Sequence, residues 1–123
     1  MGDSDVYAFD VDDTLEVSGG PIPISACREL ANQGHIVGLC GNFAAVTQRV
    51  PGWQDIFSFI GPMGMTKADF LSQIKTYVSA RCYFMVGNVP GRGGASDDVG
   101  AARAAGWEFI EERGFRSGRV INE

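Results

Sequence analysis

Short apolar runs alternate along this chain with segments whose apolar residues recur every three or four positions. Val6 to Phe9 reads as a first strand. Residues 13–23, DTLEVSGGPIP, read as a loop with a Gly-Gly turn and two prolines. Ser25 is placed to cap a helix from Ala26 to Gln33, with Gly34 ending it. Ile36 to Cys40 reads as a second strand, and Asn42 or a neighbour opens a short helix through Ala44–Arg49. After the Pro51-Gly52 break, Ile56 to Ile60 is the expected third strand. Thr66 then caps a helix on which Phe70, Leu71, Ile74, Tyr77 and Val78 share helical spacing. Tyr83 to Val86 is the fourth strand, and the glycine-rich NVPGRGGAS follows. Asp97 or Ser96 caps a helix carrying Val99, Ala102 and Ala105, which Gly106 stops. Trp107 to Ile110 forms a fifth strand, and the tail from Gly114 is polar except for Val120 and Ile121.

Strands that alternate with helices predict an α/β domain on a mostly parallel, five-stranded sheet. Sites on such sheets form beyond the carboxyl ends of the strands. The loops after Phe9, Leu39 and Val86 therefore carry the chemistry to be read.

Composition narrows the picture. A chain of 123 residues suits one domain spanning positions 1–123. Hydrophobic residues make up 45% and charged residues 20%, a balance that permits a packed core. No run reaches the roughly eighteen apolar residues of a membrane span. The acidic start, MGDSDV, lacks the basic and apolar regions of a signal peptide. Val6 stands where a myristoylation pattern needs Ser or Thr. The net charge of −5 and scattered Lys and Arg, with only a loose group at Arg113, Arg116 and Arg119, argue against a nucleic-acid groove. Cys27, Cys40 and Cys82 are odd in number and lack CxxC spacing, which fits free thiols in a reducing compartment. The expectation is a cytoplasmic protein with no membrane contact. The single His35 excludes chemistry that needs several histidines.

Asp10, Asp12 and Asp13 crowd three carboxylates into four positions behind the first strand. Turn chemistry accounts for a bare DxDD, with Asp12 and Asp13 as turn residues. Clustered anions otherwise need neutralising, and Mg²⁺ does so with one or two carboxylates, water and substrate phosphate. Asp10 and Asp12 could also divide labour as nucleophile and proton donor.

The run FDVDDTL resembles the first motif of the haloacid dehalogenase superfamily, apolar residues followed by DxDx[TV]L. That resemblance implies a Rossmann-like three-layer α/β/α domain and a Mg²⁺-dependent phosphatase. Asp10 would be the nucleophile that takes the phosphoryl group. Asp12 would protonate the leaving group and then activate water. The Asp10 carboxylate and the Asp12 carbonyl would hold the metal, Thr14 would shape the loop, and Asp13 receives no chemical role. Lys67, in GMTKADFL, matches the family's third-motif lysine and would offset charge on the nucleophile and phosphoryl group. Lys75 is the weaker alternative, and an exposed first-turn lysine is the plain reading. The fourth motif places Asn88 and Asp98 at the metal, with Asp97 as runner-up for the second acid and helix capping as the plain reading for both. Asn88 replaces the family's aspartate, and the PGRGG stretch lengthens the loop, with Arg92 read as solvated rather than anion-binding. The second motif's hydroxyl is replaced by Cys40, followed by Gly41 and Asn42, whose amides or side chain would receive the phosphoryl group together with Lys67.

The stretches after Thr14 and between Asn42 and Lys67 leave no room for a cap domain. The expected site is therefore open, reached by a phosphorylated and even macromolecular substrate, or covered by a second copy of the chain. Trp53 and the run Ile60, Pro62, Met63 and Met65 are candidates for such an interface, with core and loop packing as the plain reading. Two functions follow. One is a phosphohydrolase working through an aspartyl-phosphate. The other is a binding or regulatory module that keeps the fold without efficient catalysis, which Asn88 and Cys40 favour.

Overall fold

The structure, a computed structural model, describes residues 4–88 and 97–115. Its strands are β1 (Val6–Phe9), β2 (Ile36–Cys40), β3 (Phe59–Gly61), β4 (Tyr83–Gly87) and β5 (Glu108–Glu111). Between them lie the helices α1 (Ile24–Asn32), α2 (Ala44–Arg49), α3 (Lys67–Tyr77) and α4 (Asp98–Ala105). The sheet runs β3-β2-β1-β4-β5, and every pairing is parallel. Helices cover both faces, giving a Rossmann-like three-layer α/β domain. Among the described residues no cap is inserted into it.

The pleat assigns each side chain to a layer. Tyr7, Phe9, Val37, Leu39, Phe84 and Val86 meet Ala26, Cys27 and Leu30 of α1 and Val46 of α2. Val6, Ala8, Cys40 and Met85 face the other way, onto Phe70 and Leu71 of α3 and Ala102 and Ala105 of α4. Burial on both faces is why β1 and β4 read as unbroken apolar runs. Complete burial of a side chain such as Leu71 is worth about 1.5–3 kcal/mol. The Trp107 indole donates to the Leu71 carbonyl at 3.0 Å, which fixes α3 one turn beyond Lys67.

The chain lays β2 and β3 on one side of β1, then crosses to begin β4 on the other. That reversal opens a crevice above the carboxyl ends of β1 and β4, where doubly wound sheets bind ligands.

Several local expectations shift. Pro23, not Ser25, precedes the first turn of α1; it brings no capping side chain, and the Glu16 carboxylate accepts the Ile24 N–H at 3.4 Å instead. The third strand is Phe59–Gly61, because Ile56 and Phe57 end a tight turn and bury against the α1 layer without joining the sheet. Trp53 is half-buried against the same layer. Thr66 caps α3 as expected, accepting the Asp69 N–H at 3.1 Å. The PGRGG stretch with Arg92, the alternative cap Ser96, Arg116, Arg119, Val120 and Ile121 lie outside the described residues.

Candidate active site

Asp10 is the first residue beyond β1, and its N–H donates to the Val86 carbonyl of β4 at 2.8 Å. That bond pins it over the crevice, with 5% of its surface exposed. The chain then turns at once, with the N–H groups of Thr14 and Leu15 both donating to the Val11 carbonyl. Asp13 closes this turn at a φ of 61°, in the left-handed region that aspartate tolerates better than most residues. Its N–H donates to Ser18 and the Ile22 N–H to Thr14, so residues 13–22 fold back on themselves.

Lys67 opens α3 and reaches across the crevice. Its Nζ donates to Oδ1 of Asp10 at 2.9 Å and to Oδ1 of Asp98 at 2.8 Å. Asp98 opens α4 and is completely buried, whereas its neighbour Asp97 is exposed and caps the helix through the Gly100 N–H. Of the two adjacent acids, the one expected from the fourth motif faces inward. Asp12 is exposed and accepts from Asn42 Nδ2 at 3.3 Å across the mouth of the site.

Two glycines make this convergence possible. A Cβ on Gly41 would lie 2.5 Å from Oδ1 of Asp10, and one on Gly87 would lie 2.4 Å from Oδ2 of Asp98. Sequence reading passed over Gly87; a glycine ending a strand directly before Asn88 is the signal that marks it.

Two carboxylates share one ammonium here, and the charges do not balance. Burial pushes the Asp10 carboxyl up from its ordinary 3.8 to about 7; the Asp98 charge adds to the rise and Lys67 opposes it. For Lys67, burial alone would lower the pKa, but the charges of Asp10 and Asp98 outweigh it and the ammonium is held above its ordinary value. A hard cation or a proton is what the uncompensated charge calls for.

The residues expected to receive a phosphoryl group do not all face it. Cys40 is fully buried in the α3–α4 layer, because the pleat that turns Leu39 one way turns Cys40 the other. Burial chiefly pushes its thiol up to about 12, so it is inert as a nucleophile at neutral pH. The Gly41 N–H is committed to the Gly61 carbonyl at 2.8 Å. Among the described residues the N–H groups of Val11, Asp12 and Asn42 donate to no backbone carbonyl. The Val11 nitrogen lies 3.2 Å from the Cβ position of Gly41, beside the Asp10 carboxylate.

The four expected metal ligands separate as well. Asp98 gives Oδ1 to Lys67 and Oδ2 to the Asn88 N–H, at 3.0 Å. The Asn88 side chain is engaged with Thr14 and Asp13. Among the described residues no three His, Cys, Asp or Glu side chains gather as metal ligands do. What remains is the Asp10 carboxylate, held by Lys67 through Oδ1, and the Asp12 carbonyl, which accepts no backbone N–H there. One carboxylate and one carbonyl are a sparse set of hard oxygens. That set fits Mg²⁺, which keeps several waters and completes its shell with substrate phosphate.

His35 stands at the amino-terminal end of the strands, away from the crevice, where Nδ1 accepts the Asp5 N–H at 3.1 Å, and it takes no part in the site. A cleft of about 500 Å³ adjoins the crevice, bounded by Asp13, Gly19, Pro21, Asn88 and Arg113. Met63 is 74% exposed and Met65 38% exposed on the loop after β3, while Ile60 and Pro62 are half-buried. Comparison of the chain with protein-family models, with curated proteins and with solved structures finds no match.

Proposed function

We propose that this protein is a Mg²⁺-dependent phosphohydrolase that works through an aspartyl-phosphate on Asp10. The observation that carries the reading is Lys67 bridging Asp10 and Asp98 at the topological switch point of the sheet. The resemblance of FDVDDTL to the haloacid dehalogenase first motif supports it.

In this reading an Asp10 carboxylate oxygen attacks phosphorus. The bond from phosphorus to the leaving oxygen breaks, and Asp12 gives that oxygen its proton. Water then attacks the phosphorus of the acyl phosphate and passes a proton to Asp12. The electron pair of the broken bond returns to the Asp10 carboxylate, and inorganic phosphate leaves. Lys67 holds Asp10 in place and offsets its charge, while the Val11, Asp12 and Asn42 N–H groups are available to the phosphoryl oxygens. Mg²⁺, held by the Asp10 carboxylate and the Asp12 carbonyl, would supply positive charge to the phosphoryl oxygens when bound. The exposure of Asp12 and the absence of a cap among the described residues favour a large phosphomonoester.

A second reading, a phosphate- or metal-binding module without efficient turnover, draws on the engagement of the Gly41 N–H and of Asp98. Hydrolysis of an aryl phosphate with and without Mg²⁺, beside an Asp10→Asn control, separates the two. Metal-dependent turnover that vanishes in the control upholds the enzyme. Turnover no greater than the control, with metal-dependent binding of a phosphate analogue, upholds the module.

A further inference from the structure

We infer that Asn88 is a positioning residue that clamps the Asp12–Thr14 loop to β4, and not a ligand to the metal. The clamp itself stands on hydrogen bonds; only its consequence for turnover rests on the phosphohydrolase reading. Asn88 is 2% exposed. Its Oδ1 accepts from the Thr14 hydroxyl at 3.1 Å, and its Nδ2 donates to the Asp13 carbonyl at 3.2 Å. Its own N–H donates to Oδ2 of Asp98, the acid that holds Lys67. One residue thus ties together the loop that carries Asp12, the strand below it and the partner of the lysine.

The chemistry of these neighbours selects the side chain. The Asp13 carbonyl can only accept, so the residue at 88 has to donate to it, and the Thr14 hydroxyl donates to that residue in turn. A carboxamide does both at once; an ionised carboxylate only accepts. An aspartate here would set a charged oxygen against the Asp13 carbonyl and add a third acid beside Asp10 and Asp98. The Asp13 carbonyl would lose its donor where the chain is already in the left-handed region. Asparagine is therefore the residue the clamp needs, and the position is satisfied without a metal.

The test compares the full-length protein with Asn88→Asp, Thr14→Val, Thr14→Ser and the double variant Thr14→Val/Asn88→Asp. Melting temperature and Mn²⁺ affinity by titration calorimetry are the readouts, so turnover is not required. The clamp predicts that Asn88→Asp lowers the melting temperature by about 5 °C or more. The deficit should shrink at acid pH, where the introduced carboxyl regains a proton to donate. Mn²⁺ affinity should stay within about threefold of the wild type, because no ligand has been added. Thr14→Val should lose stability, Thr14→Ser should retain it, and the double variant should lose less than the sum of its parts. A stable Asn88→Asp protein that binds Mn²⁺ about tenfold or more tightly would make position 88 a ligand and overturn the inference. If neither protein binds Mn²⁺, the phosphohydrolase reading loses its metal, and the clamp is judged on Thr14 alone. Losses smaller than additive then uphold it, and additive losses overturn it.

Discussion

Gly41 closes on Asp10 so tightly that a Cβ at position 41 would lie 2.5 Å from Oδ1 of the carboxylate. No real Cβ sits so near an oxygen. The same oxygen is meanwhile held by Lys67 at 2.9 Å. Gly41→Ala must therefore displace the Asp10 carboxylate, the nucleophile of the proposed mechanism. A displacement near 1 Å costs about 100-fold in rate when reacting groups have to align. We expect kcat for an aryl phosphate to fall by about that factor. Circular dichroism should show an intact fold, because the strain is local to the crevice. Unchanged kcat would mean that the carboxylate does not need this position.

Lys67 is the only cation bonded to Asp10 and Asp98 among the described residues. Lys67→Met keeps much of the stem but leaves Asp10 and the Asp98 carboxylate buried with no cation between them. Removing one partner from a buried charge cluster costs about 3–5 kcal/mol. Because the lysine side chain is 17% exposed, solvent trims this, and we expect about 2–3 kcal/mol in urea unfolding at neutral pH. Turnover should also be lost. A variant as stable as the wild type would show that the three groups are not coupled.

Much of this arrangement was legible in the chain. Strands buried on both faces produce apolar runs, and β1, β2 and β4 were found from them. Apolarity reports burial, though, not conformation. Ile56 and Phe57 bury from a turn, so the third strand was expected too early. Lys67 and Asp98 were expected because GMTKADFL and DVGAARAAGW resemble the family's third and fourth motifs, and the fold brings both side chains to Asp10 or its lysine. The engagement of Asn88 was not legible, since its partners Thr14 and Asp13 lie 74 and 75 residues away. The Gly41 amide was likewise spent on a neighbouring strand that sequence does not place. Cys40 was within reach, because alternation from Leu39 turns it into the core.

Asp97 and Asp98 are chemically identical neighbours with opposite surroundings. Asp97 is exposed, and among the described residues its side chain bonds only the first turn of α4. Asp97→Ala should cost about 1 kcal/mol, the worth of a helix cap, and leave kcat/KM within about twofold. Asp98 is completely buried between Lys67 and the Asn88 N–H. Asp98→Asn removes the charge that orients Lys67, and kcat should fall by about 100-fold or more. Parallel denaturation and kinetic measurements on the pair give the contrast. Equal kinetic losses would erase the distinction between the capping acid and the inward one.

Asp10 should also set a pH dependence of stability in the metal-free protein. The folded chain holds the Asp10 proton up to about pH 7, whereas the free carboxyl releases it near 3.8, with burial the main cause. Between those values the folded state binds more protons than the unfolded state, so the contribution of Asp10 falls as pH rises. It is fully present below 3.8 and lost as pH passes about 7. Asp10→Asn still offers Lys67 an acceptor but cannot titrate. In EDTA, we expect the variant to gain on the wild type in urea midpoint between about pH 4.5 and about pH 8. Titrating groups away from the crevice are common to both proteins and cancel in the difference, which leaves Asp10 with its coupled partners Asp98 and Lys67. Millimolar Mg²⁺ should then restore much of the wild-type deficit at the higher pH, because it binds the ionised carboxylate, and should do little for the variant. A difference between the two proteins that stays constant with pH would show that burial does not perturb Asp10.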